Sequence, residues 1–118
     1  MTRKAGKLTR ADWAADPDRW TGHFEGADLG TGITVLFVEI AAPGGGPKLH
    51  THPYDEVFIL REGRGRYIVG DEVIEAAAGD VVLAPAEVPH RFENVGPGRL
   101  IATDIHLSPR WIQTDLEG

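Results

Sequence analysis

His50-Thr51-His52-Pro53-Tyr54-Asp55-Glu56 is the stretch on which the reading of this chain turns. Side chains two apart on a strand project from the same face, so His50 and His52 look one way and Thr51 the other. Proline leaves the strand ladder and aspartate favours a turn, so residues 53–55 reverse the chain and Glu56 opens the returning strand beside the two histidines. Phe58 and Leu60 share the face of Glu56 and would give these polar groups an apolar cup. His90 lies far downstream, flanked by Pro89 and, two residues on, by Phe92, and must arrive from across the fold. The chain holds 5 histidines, and these three stand where imidazole and carboxylate could converge on a first-row transition ion. Three neutral imidazoles and one carboxylate leave net +1 on a divalent ion and keep coordination positions free, as an open catalytic site requires. Taken singly each residue has a plainer reading as a solvated surface group, which is how His23 reads.

Outward from this stretch, the chain after Thr21 falls into short segments rich in β-branched and aromatic residues, separated by Gly and Pro clusters. They cover residues 33–40, 48–52, 56–61, 64–69, 72–76, 80–84, 90–94 and 100–107, the pattern of an all-β sandwich or barrel. Residues 1–20 read as an extended arm with a turn of helix near 10–15. Its Trp13 and Trp20 need cover, on the barrel or on a partner subunit. Two units are expected, an arm at 1–20 and a single barrel domain at 21–118. With 118 residues, 15 glycines and 8 prolines, the chain suits one turn-rich domain. The absence of cysteine excludes disulfides and thiolate zinc sites. A net charge of −6 gives no footing for nucleic acid. The longest apolar run, 33–40, contains Thr34 and Glu39 and is too short for a bilayer. The basic start Met1-Thr2-Arg3-Lys4 is followed by polar residues rather than an apolar core, so no secretory signal is expected and a cytoplasmic protein is the default.

The spacing of fixed residues resembles the cupin family. Its first motif, G-x5-H-x-H-x3–4-E-x6-G, is matched by Gly44, His50, His52, Glu56 and Gly63. Its second, G-x5-P-x-G-x2-H-x3-N, is matched by Gly79, Pro85, His90 and Asn94, with Glu87 standing where the family has glycine. That departure concerns the turn backbone rather than the ligand set. The resemblance implies a double-stranded β-helix, a jelly-roll β-barrel of two antiparallel sheets, with tight turns of positive φ at the motif glycines. It also implies one divalent transition-metal ion (Fe, Mn, Ni, Cu or Zn) held by His50, His52, Glu56 and His90. Small members of the family are often homodimers, and the Trp-bearing arm is a candidate interface.

The remaining site expectations concern the pocket. Phe58, Leu60 and Phe92 should shape it and exclude water. Asp104 and His106 share one face of the last strand. Facing inward they could orient a substrate or carry a proton; facing outward they would be solvated edge residues. Tyr67 should point inward, as core or as a further catalytic candidate beside His106. The function expected is a metal-dependent, dioxygenase-like enzyme acting on a small organic molecule. The alternatives are redox-neutral chemistry at the same site (isomerase, lyase or decarboxylase) or a module that binds a small molecule or metal without turnover.

Overall fold

Ten strands make two facing antiparallel sheets in the computed structural model, which describes residues 3–116. In chain order they are β1 (Gly22–Phe24), β2 (Thr34–Ile40), β3 (His50–Thr51), β4 (Glu56–Glu62), β5 (Arg64–Val69), β6 (Glu72–Ala77), β7 (Val81–Ala84), β8 (His90–Asn94), β9 (Leu100–His106) and β10 (Thr114–Asp115). One sheet has the order β1-β2-β9-β4-β7 and the other β10-β3-β8-β5-β6. Apart from the adjacent pairs β1–β2 and β5–β6, successive strands cross between sheets, as in a jelly roll. A short helix α1 (Arg10–Trp13) precedes them, and a 3-10 turn (Gly26–Leu29) follows β1. Among the described residues no helix is long and apolar enough to cross a membrane.

Strand alternation decides what lies between the sheets. On β4, Glu56, Phe58 and Leu60 are buried while Ile59 is exposed; on β8, His90, Phe92 and Asn94 are buried. The core joins Phe58, Leu60, Tyr67, Val69, Val82, Phe92 and Leu100. Burying each large apolar side chain contributes about 1.5–3 kcal/mol. Cross-strand register orders the interior into rungs. At the open end Glu56 sits opposite His106 in one sheet, and His50 opposite His90 in the other. One rung deeper Asp104 lies between Leu36 and Phe58, and Tyr67 is paired with Phe92 in the facing sheet.

The expected strand at 48–52 shrinks to His50–Thr51, because Pro47 and Pro53 on either side lack the N–H that would extend the ladder. β1 and β10 were not foreseen, being three and two residues long and held by pairing rather than by composition. The arm lies on its own barrel. Trp13 stacks on Phe37 with centroids 3.9 Å apart, and Trp20 meets both rings edge-on at 5.0 and 6.0 Å.

The motif glycines Gly44, Gly63 and Gly79 have φ of 89°, 85° and 95°. At Gly63 the constraint is double, since a Cβ there would also come within 2.1 Å of the Arg99 carbonyl. Glu87, which replaces the expected glycine, keeps the glycine conformation at φ 69°. The left-handed backbone costs a non-glycine residue roughly 1–2 kcal/mol. The turn holds that shape because Glu87 N–H donates to His52 O at 2.8 Å, tying it to the site.

Candidate metal centre

His50, His52, Glu56 and His90 are all buried, at 5, 2, 2 and 2% exposure, and offer one ligand atom each within 4.8 Å of the others. Bonds of about 2.1 Å to a single ion leave separations of that order between its ligands. Each ring is aimed by a carbonyl. His50 Nδ1–H donates to Lys48 O at 2.5 Å, His52 Nδ1–H to Ile112 O at 2.7 Å, and His90 Nδ1–H to Val88 O at 3.1 Å. A carbonyl only accepts, so Nδ1 carries the proton in all three rings, and a neutral ring then presents a bare lone pair at Nε2.

Those lone pairs converge on Glu56. His52 Nε2 and His90 Nε2 both lie 3.1 Å from its Oε1. Lone pairs and a carboxylate oxygen at that distance repel unless a cation stands among them. Extra protons would make several imidazolium ions in contact, with ring centroids only 4.4–5.1 Å apart. Burial lowers the His50 pKa, and the neighbouring rings His90 and His52 lower it further against the raising effect of Lys48 O. One divalent ion satisfies every donor at once, and imidazoles held through Nδ1 by carbonyls are the usual supporting arrangement for it. The donor set therefore suits a metal ion. Burial pushes the Glu56 carboxyl up, but contacts with His106, and with His52 and His90 once those rings also carry a proton at Nε2, outweigh it and hold the group well below the usual carboxylate range.

His106 faces inward, which resolves the two readings of the last strand. Its Nε2 lies 3.0 Å from Glu56 Oε2, and its Nδ1 is 2.7 Å from the Tyr54 hydroxyl. Tyr54 also accepts from Ile112 N–H at 3.1 Å and stacks on His52, 5.1 Å between centroids at 8°. Neither Tyr54 nor the segment carrying Ile112 was foreseen as part of the site. A tyrosine within a Pro-Tyr-Asp turn carries no local signal, and Ile112 acts through its backbone. The C-terminal segment is held there by β10 on β3 and by Leu116 N–H to Leu49 O at 2.9 Å.

A cavity of about 500 Å³ opens onto this rung, lined among others by Leu36, Val38, Phe92, Asp104, His106 and Trp111. Phe92, Asp104 and His106 line this cavity. Phe58 and Leu60 do not: they lie deeper, in the core cluster and outside the cavity lining. Tyr67 is also withdrawn behind Phe92, on which it stacks at 5.1 Å. The physical reason is shared, because the cavity follows the β1–β2 side while these three sit where the sheets close together. Tyr67 Oη and Asp104 Oδ1 are buried with no hydrogen-bond partner among the described residues. Burial, and then the charge of Glu56, push the Asp104 carboxyl well above its usual range. His23, read as solvated, is exposed yet stands at the cavity mouth with its ring 4.8 Å from Trp111.

Among known proteins the chain is 33% identical over 96 residues to the polyketide synthase CurC of Streptomyces cyaneus, covering 71% of this chain and 60% of that protein. It is 32% identical over 72 residues to an acireductone dioxygenase of Geobacillus kaustophilus, covering 55% of this chain and 40% of that one. In fold it matches the formate complex of a Lactobacillus farciminis oxalate decarboxylase with TM-score 0.75 at 23% identity, over 90% of this chain and 34% of that structure. It therefore spans less than two thirds of each of these proteins. The cupin-domain family model matches residues 37–106. With both motifs, the two-sheet jelly roll and this match in agreement, the chain belongs to the cupin family.

Proposed function

We propose that this cupin is a metal-dependent enzyme of dioxygenase type, acting on a small organic molecule that reaches His50, His52, Glu56 and His90 through the cavity. The carrying observation is the convergence of His52 Nε2 and His90 Nε2 on Glu56, with a ligand atom of His50 within 4.8 Å of the group, beside an accessible cavity. A divalent first-row ion held there supplies Lewis acidity and, for redox-active metals, electron transfer to an oxygen-donor ligand. The chain's own residues do the rest. Carbonyls of Lys48, Ile112 and Val88 orient the rings, and Phe92, Leu36 and Val38 keep water from the wall. His106, bridged to Tyr54, holds Glu56 and can carry a proton at Nε2. The likeness to an acireductone dioxygenase supports oxygen chemistry.

The test is metal analysis of protein purified without chelator, followed by oxygen uptake with diketones, catechols and flavonols. About one ion per chain, and uptake with at least one substrate class that disappears in His50→Ala, is the expected result. Metal-replete protein that consumes no oxygen with any of them would shift the reading to redox-neutral chemistry or to simple binding.

A homodimer is part of the proposal. The arm's tryptophans are satisfied on Phe37, whereas Ile59, Val81 and Leu83 remain 39, 64 and 51% exposed, side by side on β4 and the edge strand β7. A second copy is the natural cover for such a patch on a sheet edge. Light scattering at micromolar concentration should return twice the 12.8 kDa chain mass, and Leu83→Lys should return the monomer. A monomeric wild-type protein would overturn the dimer.

A further inference from the structure

The cavity carries more chemistry than its metal rung. Apart from histidine, Thr21 and Gln113, its lining is apolar or acidic: Leu36, Val38, Ile40 and Phe92 on the walls, Glu39, Glu56 and Asp104 among them, and no lysine or arginine among the described lining residues. Two arginines are engaged on the outer surface, Arg66 with Glu75 and Glu93, and Arg99 with Glu62 and, at 3.9 Å, Glu39. Near the mouth Arg110 points to Glu25 at 3.7 Å and is itself exposed. A small dianion entering this space would meet three acids and no lysine or arginine of the lining. A divalent ion with Glu56 bound leaves a single positive charge, enough for one phenolate or enolate. A second carboxylate would be buried unpaired, at a large cost.

The volume points the same way. About 500 Å³ falls in the range that encloses drug-sized ligands, and a two-carbon diacid would leave most of it empty. The walls suit a flat apolar body, and Trp111, 38% exposed at the mouth, offers a ring face between His23 and His106. Asp104 is 1% exposed, lines the cavity, and has an Oδ1 without a partner. Such an atom in a native cavity calls for a ligand or a water. It lies one rung below Glu56.

We propose that the cavity takes a planar hydroxy- or keto-aromatic molecule of at most one negative charge, its oxygens toward the His/Glu rung and toward Asp104, and that it rejects small dicarboxylates. This deepens the enzyme reading above and rests on it for the role of the rung. Asp104 is here a ligand-contacting residue that sets specificity. Its unpartnered Oδ1 would accept from a phenol hydroxyl, whereas the second carboxylate of an oxalate-type ligand would meet another acid there.

The experiment is calorimetric titration of 2,3-dihydroxynaphthalene and of oxalate into metal-loaded and metal-free protein. The diol should bind at least about 100-fold more tightly than oxalate. Leu36→Trp, which fills the cavity, should weaken the diol about tenfold or more with metal stoichiometry unchanged. Asp104→Ala should weaken the diol and narrow its margin over a naphthalene lacking hydroxyls. Metal-loaded protein that binds oxalate as well as the diol, or a folded Leu36→Trp variant that binds the diol undiminished, overturns the proposal. The two readings fail separately. Protein that takes no metal yet still prefers the diol upholds the cavity assignment and defeats the metal enzyme. Protein that loads metal and prefers oxalate does the reverse.

Discussion

Saturating divalent metal raises the melting temperature of the metal-free protein by about 10 °C when the free ion stands at ~100 times its Kd, and His90→Ala abolishes the rise. The size follows from linkage: binding to the native state alone adds about 2.7 kcal/mol under those conditions. A domain of this length moves several degrees per kcal/mol. His90 is the sharpest choice because its loss removes one Nε2 at 3.1 Å from Glu56 Oε1 and leaves the strand pairing of β8 with β5 in place. The supporting residue should behave differently. His106 contacts Glu56 Oε2 rather than the convergent donors, so His106→Ala should keep one equivalent of metal with affinity weakened about 10–100-fold. Calorimetric melts with Mn(II), Fe(II), Ni(II), Cu(II) and Zn(II) decide it. Equal shifts in wild type and His90→Ala, or none with any ion, would sink the four-ligand assignment.

Three of these four residues were legible in the sequence because each is fixed by something local: period-two alternation puts His50 and His52 on one face, and the proline turn returns Glu56. His90 entered through the resemblance to the cupin motifs, whose spacing of glycines and prolines it completes. Even Glu87, the one departure from the pattern, adopts the φ of the glycine it replaces, because the geometry of the turn is imposed by its hydrogen bond to His52 O. What stayed hidden depends on tertiary arrangement. Whether Asp104 and His106 faced in or out was undecidable from their own strand, because both faces of β9 carry apolar residues. Register with Glu56 and Phe58 decides it. Phe58, Leu60 and Tyr67 share inward faces with the site residues, yet depth along the strand, invisible to a period of two, puts them in the core. The Tyr54–His106 link and the Ile112 carbonyl join residues more than fifty positions apart, and no spacing rule reaches that far.

Asn94 shows the opposite case, a residue legible as a fixed position whose work only the structure explains, and its replacement is the second large effect. It is 1% exposed, and its side chain ties several turns together. Its Nδ2 donates to Ile40 O and to Gly98 O, both at 2.9 Å, and its Oδ1 accepts from Gly96 N–H at 2.7 Å. Its backbone N–H and C=O pair with Gly45 and Gly44. The side chain thus binds the end of β2 to the turn between β8 and β9, at the closed end of the barrel away from the metal rung. Asn94→Leu keeps the volume but strands the buried Gly96 N–H and the half-buried Ile40 carbonyl, at about 1–3 kcal/mol each, so a loss of about 3–5 kcal/mol is expected in urea unfolding. Asn94→Asp should be as damaging at pH 7, where a carboxylate would face two carbonyl oxygens. Its folded-state pKa would be raised by that contact, so the penalty is full above the raised value, shrinks as pH falls from there toward the unfolded value of about 3.9, and is lost below it, where the acid can donate one bond. Relative to wild type, Asn94→Asp should therefore recover stability between pH 7 and pH 3.5, while Asn94→Leu should not. Metal stoichiometry of the folded fraction should stay at the wild-type value in both. A variant that loses metal without losing stability would place Asn94 in the site rather than in the frame that carries it.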